Sequence, residues 1–182
     1  QDKMCAHLEG VYVFLCNKKL DNMKDIIKPL EAVLETGKPI LVVANEIENE
    51  ALQGMVINRV KGNLKVCAIK SPGYGNARYD MLQDLSCLTG AKIFDGADDM
   101  SGFSIEDLGK CKKVIVKRNS TLFVAHKNFE EDVSKRLDTI RSRINSYELE
   151  SNELEVLEYR LKQLSGGIAV LRIGAATEAE MI

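Results

Sequence analysis

The stretch from Leu20 to Lys61 constrains the fold more than any other part of the chain. It reads as helix, strand, helix: residues 20–36, the apolar run Ile40–Ala44, and residues 50–61. At helical pitch Leu20, Met23, Ile26, Ile27, Leu30, Val33 and Leu34 spread over roughly 140°, an arc that one core can cover. In the second helix Ala51, Leu52, Met55, Val56, Ile57 and Val60 span roughly 240°. Only Gln53, Asn58, Arg59 and Lys61 remain as a thin polar strip. Such a helix is either sandwiched between two layers or shows apolar side chains to water. Two cations in the last turn argue against burial all round, which predicts Leu52, Val56 and Ile57 on a solvent-facing stripe. A large exposed apolar patch marks a binding surface. The sandwiched alternative stays open at this point.

Length and charge narrow the field. A chain of 182 residues suffices for one sizeable domain, with or without an appendage. The net charge of -2, the 5% aromatic content and the absence of Trp speak against an electrostatic footprint for nucleic acid or an anionic membrane, and against a base-stacking platform. No apolar run approaches the length of a membrane span. The start at Gln1, without Met or a signal-peptide pattern, leads to the expectation of a piece of a longer protein. The five cysteines (5, 16, 67, 87 and 111) are odd in number and lack C-x-x-C spacing, which argues for a reducing compartment over a disulfide framework. Cys16 and Cys67 lie in apolar runs and are expected to be small core residues. Cys5 and His7 are too few ligands for a metal, so none is expected. No G-x-S-x-G or H-E-x-x-H pattern is present, and no catalytic residue is assigned.

In chain order, Gly10–Cys16 reads as a buried strand, and Asn17 with two lysines as a turn. Asp21 or Asn22 is the expected cap of the first helix. Pro29 is expected to bend that helix and Gly37 to stop it. Further strands are expected over 64–69, 91–94, 113–117, 120–125 and 168–174, with a helix over 76–88 that Thr89-Gly90 ends. Pro72-Gly73-Tyr74-Gly75 reads as a tight turn into that helix, because neither phosphate-loop pattern is complete. From Asn128 two amphipathic helices follow, each opened by an Asn-x-x-Glu pattern of capping-box form at 128–131 and 152–155. They form a helical hairpin whose apolar stripes are expected to pack on the domain and on each other. Gly166-Gly167 is either a C-cap or a hinge.

Several stretches together resemble one family. EALQGMVINRVKG, LKVCAIKSPGYGNARYDMLQDLSCLTGAKI, FSIEDLGKCKKVIV and LSGGIAVLRIGAATEAEM are similar to the apical domain of a group I chaperonin, the GroEL type. The resemblance implies an α/β domain of the swivelling type with three layers (β/β/α) and a C-terminal helical hairpin. It places the apical domain over residues 1–166, with the hinge and the start of an intermediate domain over 167–182. It also implies that the helices over 20–36 and 50–61 form an apolar groove for non-native polypeptide and for the mobile loop of a co-chaperonin of the GroES type. The groove positions fall on Ile27, Leu30, Leu52, Val56, Ile57 and Asn58. Glu50 and Lys61 fall on polar contacts at the same surface, and Gly166 and Gly167 on the interdomain hinge. In such a family ATP and Mg bind segments outside this chain, so the fragment itself is expected to be no enzyme. It is expected to be monomeric alone, while the full-length ring is seven-membered and housed in an organelle or the bacterial cytoplasm. QDKMCAHLEG departs from the family pattern, and Pro29 is shifted by one residue.

The alternative from another class is a small-molecule α/β enzyme domain built on the Pro72–Gly75 turn. It predicts a concave pocket beside Gly73–Asn76 on which polar groups converge.

Overall fold

One long strand, β1 (Met4–Leu20), holds the architecture together in the computed structural model, which describes residues 4–60, 64–95, 100–146, 149–165 and 168–171. Its second half pairs in parallel with β2 (Ile40–Ile47), and β2 pairs in parallel with β3 (Val66–Lys70). The short β4 (Ile93–Phe94) lies parallel to β1 at Leu15 and Cys16. The first half of β1 pairs antiparallel with β5 (Gly109–Lys117), which continues through β6 (Thr121–Val124) to β7 (Ile168–Leu171). The sheet order is β3-β2-β1-β5-β6-β7, with β4 beside β1. The sheet therefore has a parallel half and an antiparallel half that share β1.

The parallel half is buried on both faces, as near-continuous apolar strands require. Along β1, Tyr12, Phe14 and Cys16 enter one core, while Val11, Val13 and Leu15 enter the other. The first core is covered by α1 (Ile27–Leu34) and α2 (Asn49–Val60). The second is covered by α3 (Asn76–Thr89) and by the hairpin of α4 (Glu130–Ile144) and α5 (Ser151–Leu164). The chain is thus a mixed α/β domain with a C-terminal helical hairpin. The hairpin packs as its stripes predict, through Val133, Leu137, Ile140, Leu157 and Leu164.

Several local expectations are corrected. The turn expected at Asn17 does not form; β1 continues to Leu20 through an irregularity between Cys16 and Lys19. At the other end β1 starts at Met4, because β5 supplies it with a partner from Met4 to Val13. The capping boxes of the hairpin do not form either. Phe129 and Glu150 occupy the N-cap positions of α4 and α5, and neither makes a side-chain cap hydrogen bond. A capping box closes instead at Ser104 and Asp107, around a 3-10 turn over Ile105–Asp107. Gly90, in the left-handed region at φ 79°, stops α3 as the sequence predicts. Ile168–Leu171 are hydrogen-bonded to β6 in this same sheet.

Candidate functional site

The first helix is shorter than its apolar arc suggests. Asn22 Oδ1 accepts from the Lys24 amide at 3.0 Å and caps a 3-10 turn over Met23–Asp25. Ile26 then breaks the run at φ -129°, and α1 begins at Ile27. Pro29 consequently falls in the first turn of α1, where its missing N–H is one the helix would leave unpaired anyway. It bends nothing. The arc divides across this short helix: Leu30 (3% exposed) and Val33 face the core, whereas Ile27 and Leu34 are each 40% exposed. Ile27 and Leu34 are two turns apart and within about 20° of one direction, so they form one exposed edge. Leu30, assigned to the groove by the resemblance, belongs to the core instead.

In α2 the core takes Ala51 and Met55, both fully buried. Leu52 is half-buried against the same cluster, and Ile57 is 52% exposed. Glu50 is exposed in the first turn. The side chains of Val56 and Asn58, and residues Lys61, Gly166 and Gly167, lie outside what the structure describes. The helix seats on the 3-10 turn through Gly54, where an added Cβ would come within 2.0 Å of the Met23 sulfur. Its start is fixed by the Glu48 amide, which donates to the Leu20 carbonyl at 2.9 Å, and by an ion pair between Lys19 and Glu48 at 3.0 Å. The hydrogen bond from Lys19 holds the Glu48 carboxyl below its ordinary range and raises the Lys19 ammonium.

Five large apolar side chains are exposed among the described residues, and three of them (Ile27, Leu34 and Ile57) are on α1 and α2. The other two, Tyr74 and Tyr79, flank the start of α3. Leu34 was legible as part of the apolar arc but not as a surface residue. Among its described residues the α4–α5 hairpin exposes none.

The opposite layer is joined by charge. Asp84 of α3 accepts from Arg136 Nε of α4 at 2.8 Å and from Arg160 Nε and Nη2 of α5 at 2.7 and 2.9 Å. Asp84 and Arg160 are each 6% exposed. Burial acts against the charge on Arg160, but the hydrogen bonds and attraction of Asp84 outweigh it and hold the guanidinium above its usual value. Residues this far apart in sequence carry no spacing signal. Cys16 and Cys67 are buried as expected, and desolvation pushes the thiols of Cys16 and Cys111 up to about 12, which leaves them unreactive.

No protein-family model matches the chain. Among solved structures it is similar to the chaperonin gp146 from the bacteriophage EL 2 (Pseudomonas aeruginosa), crystallised in the presence of ATP-BeFx. Against crystal form II the TM-score is 0.68 at 17% identity, over 100% of this chain and 36% of that one. Against crystal form I the TM-score is 0.66 at 16% identity, with the same coverage. The chain therefore has a chaperonin-like fold, and it spans 36% of the length of the proteins it matches.

Proposed function

We propose that this chain is the polypeptide-binding module of a chaperonin, corresponding to the apical domain of the GroEL type, and that it captures non-native polypeptide on the face formed by α1 and α2. The observation that carries the reading is that three of the five exposed large apolar side chains among the described residues, Ile27, Leu34 and Ile57, lie on these two helices. Leu52, half-buried against the core, lies on the same helix as Ile57, as do Val56 and Asn58. Capture needs no fixed pattern of hydrogen bonds in the client. Apolar contact contributes about 25 cal/mol per Å², so a few hundred Å² offsets a useful part of the cost of association. An extended or a helical segment can use the same surface, and so can a co-chaperonin mobile loop of the GroES type. In this reading Glu50 and Lys61 make polar contacts at the rim, Gly166 and Gly167 form the hinge, and ATP with Mg drives a ring from segments outside the chain.

The test is binding of a fluorescent, permanently unfolded polypeptide and of a mobile-loop peptide to the wild-type chain and to Ile27→Asp and Ile57→Asp. Both side chains are exposed, so the variants should fold as the wild type does. Saturable binding that drops about tenfold or more in each variant is the expected result. Absence of binding by the wild type, or binding indifferent to both substitutions, sinks the proposal.

A further inference from the structure

The carboxyl ends of β1, β2 and β3 enclose a cavity of about 510 Å³. It is lined by Lys19 from β1, Asn45 and Glu46 from β2, Lys70 at the end of β3, Ser71 just beyond it and Arg78 from the first turn of α3. The connection after β2 leads to α2 on one face of the sheet, and the connection after β3 leads to α3 on the other. Neighbouring strands whose connections part to opposite faces leave a crevice at their carboxyl ends, and in open α/β sheets that crevice is where ligands bind.

Three polar atoms of this crevice are buried and have no hydrogen-bond partner: Ser71 Oγ, Asn45 Oδ1 and Arg78 Nε. Ser71 is only 6% exposed, and its amide already donates to the Ala44 carbonyl at 2.8 Å, so it is the hydroxyl that is left over. Asn45 is oriented by its own Nδ2, which donates to Asn17 Oδ1 at 3.3 Å. Polar groups this deep are ordinarily paired, and three unpaired ones around a single cavity point to a missing partner. The charge balance says which kind. Lys19 is engaged by Glu48, and Glu46 is the acidic group on the wall, so Lys70 and Arg78 set the sign at the β3 end. The turn that closes this end takes glycine for steric reasons. Gly73 has φ 76°, and a Cβ there would meet the Met81 sulfur at 2.9 Å. Gly75 at φ 56° precedes α3, whose first turn has no side-chain cap.

We propose that this crevice binds a small molecule bearing an oxyanion, a phosphate or carboxylate held by Ser71, Lys70 and Arg78, with a neighbouring hydroxyl that donates to Asn45 Oδ1. This site is separate from the α1/α2 face and does not depend on the chaperonin reading. Its test is a titration of the 182-residue chain with inorganic phosphate, glucose 6-phosphate, gluconate and glucose, followed by backbone amide shifts over residues 70–78. The expected result is saturable shifts with glucose 6-phosphate or gluconate, weaker ones with inorganic phosphate and none with glucose. Whichever oxyanion binds more tightly identifies the source. Ser71→Ala and Arg78→Met should each weaken binding about tenfold, and Ile57→Asp should leave it unchanged. Should Ser71→Ala fail to fold, Arg78→Met carries the comparison. No saturable shift by about 10 mM of any oxyanion overturns the proposal, as does equal binding of glucose or binding indifferent to both variants.

Discussion

The two helical layers that cover the sheet solve the same problem differently. On one side α3, α4 and α5 interlock through Leu82, Leu85, Val133, Leu137 and Leu157, and Asp84 pins both hairpin helices with hydrogen bonds. On the other side α1 and α2 bury only part of their apolar surface and leave Ile27, Leu34 and Ile57 in water. The difference lies in what surrounds each helix. The hairpin folds back to give α3 neighbours, whereas α2 packs, among the described residues, on the sheet and on the 3-10 turn at Met23. Apolar side chains beyond those needed for the core then have nowhere inside to go, and a surface suited to binding results.

Four experiments probe that contrast. The largest effect is expected from Asp84→Asn, which leaves two arginines around a neutral amide. Breaking a buried pair costs about 3–5 kcal/mol, read as a lower urea midpoint, while polypeptide affinity of the folded fraction stays unchanged. A loss of affinity with intact stability would mean that the two layers are not independent.

Within α1 the contrast becomes a comparison of two leucines. Leu30→Ala should cost about 2–5 kcal/mol by opening a core cavity. Leu34→Ala should stay within about 0.5 kcal/mol and instead weaken polypeptide binding. Equal costs for the two would show that the division between core and surface is drawn wrongly.

Glycines test rigidity. An Ala Cβ at Gly90 meets the Phe129 ring at 2.5 Å and a backbone at φ 79°, so Gly90→Ala should cost about 1–3 kcal/mol. At Gly54 the obstacle is the flexible end of Met23, which can swing aside, and Gly54→Ala should cost about 1 kcal/mol or less. If Gly54→Ala proves the more costly of the two, the α2 seat is as rigid as the hairpin side.

The smallest effect is on pH. Burial, with Lys112, Lys110 and Lys38 nearby, lowers His126 from its ordinary 6.5. The unfolded chain therefore binds the proton more tightly, so stability is lost on acidification below about 6.5 and stops changing once the folded value is passed. Thermal melts across that window should show the decline, and His126→Gln should flatten it.

Much of the order of elements was legible, because it rests on local pattern. The apolar runs at 40–44 and 64–69, the Gly90 stop and the stripes of the hairpin are all where periodicity and turn chemistry put them. What the sequence hid depends on partners distant in the chain or on how a local turn forms. The extension of β1 to Met4 comes from β5, and the failure of the Asn128 capping box comes from the 3-10 turn over Lys127–Phe129. The Asp84 cluster joins three helices whose spacing has no period. In the candidate site, the surplus on α2 was visible from its 240° spread, roughly, at helical pitch. Sorting α1 was not, since where the helix begins decides whether Leu30 or Leu34 faces the core.

The sharing of β1 has a consequence for how the molecule comes apart. Val13 is paired on one side with Leu41 and on the other with Gly109. Neither half of the sheet can complete its ladder while that strand is missing, and joining it to β5 demands closure of a very long loop. Opening of β1 should thus coincide with global unfolding, and its central amides should be the last to exchange with solvent deuterium. A chain divided between the parallel and antiparallel halves would yield two pieces that compete for one strand.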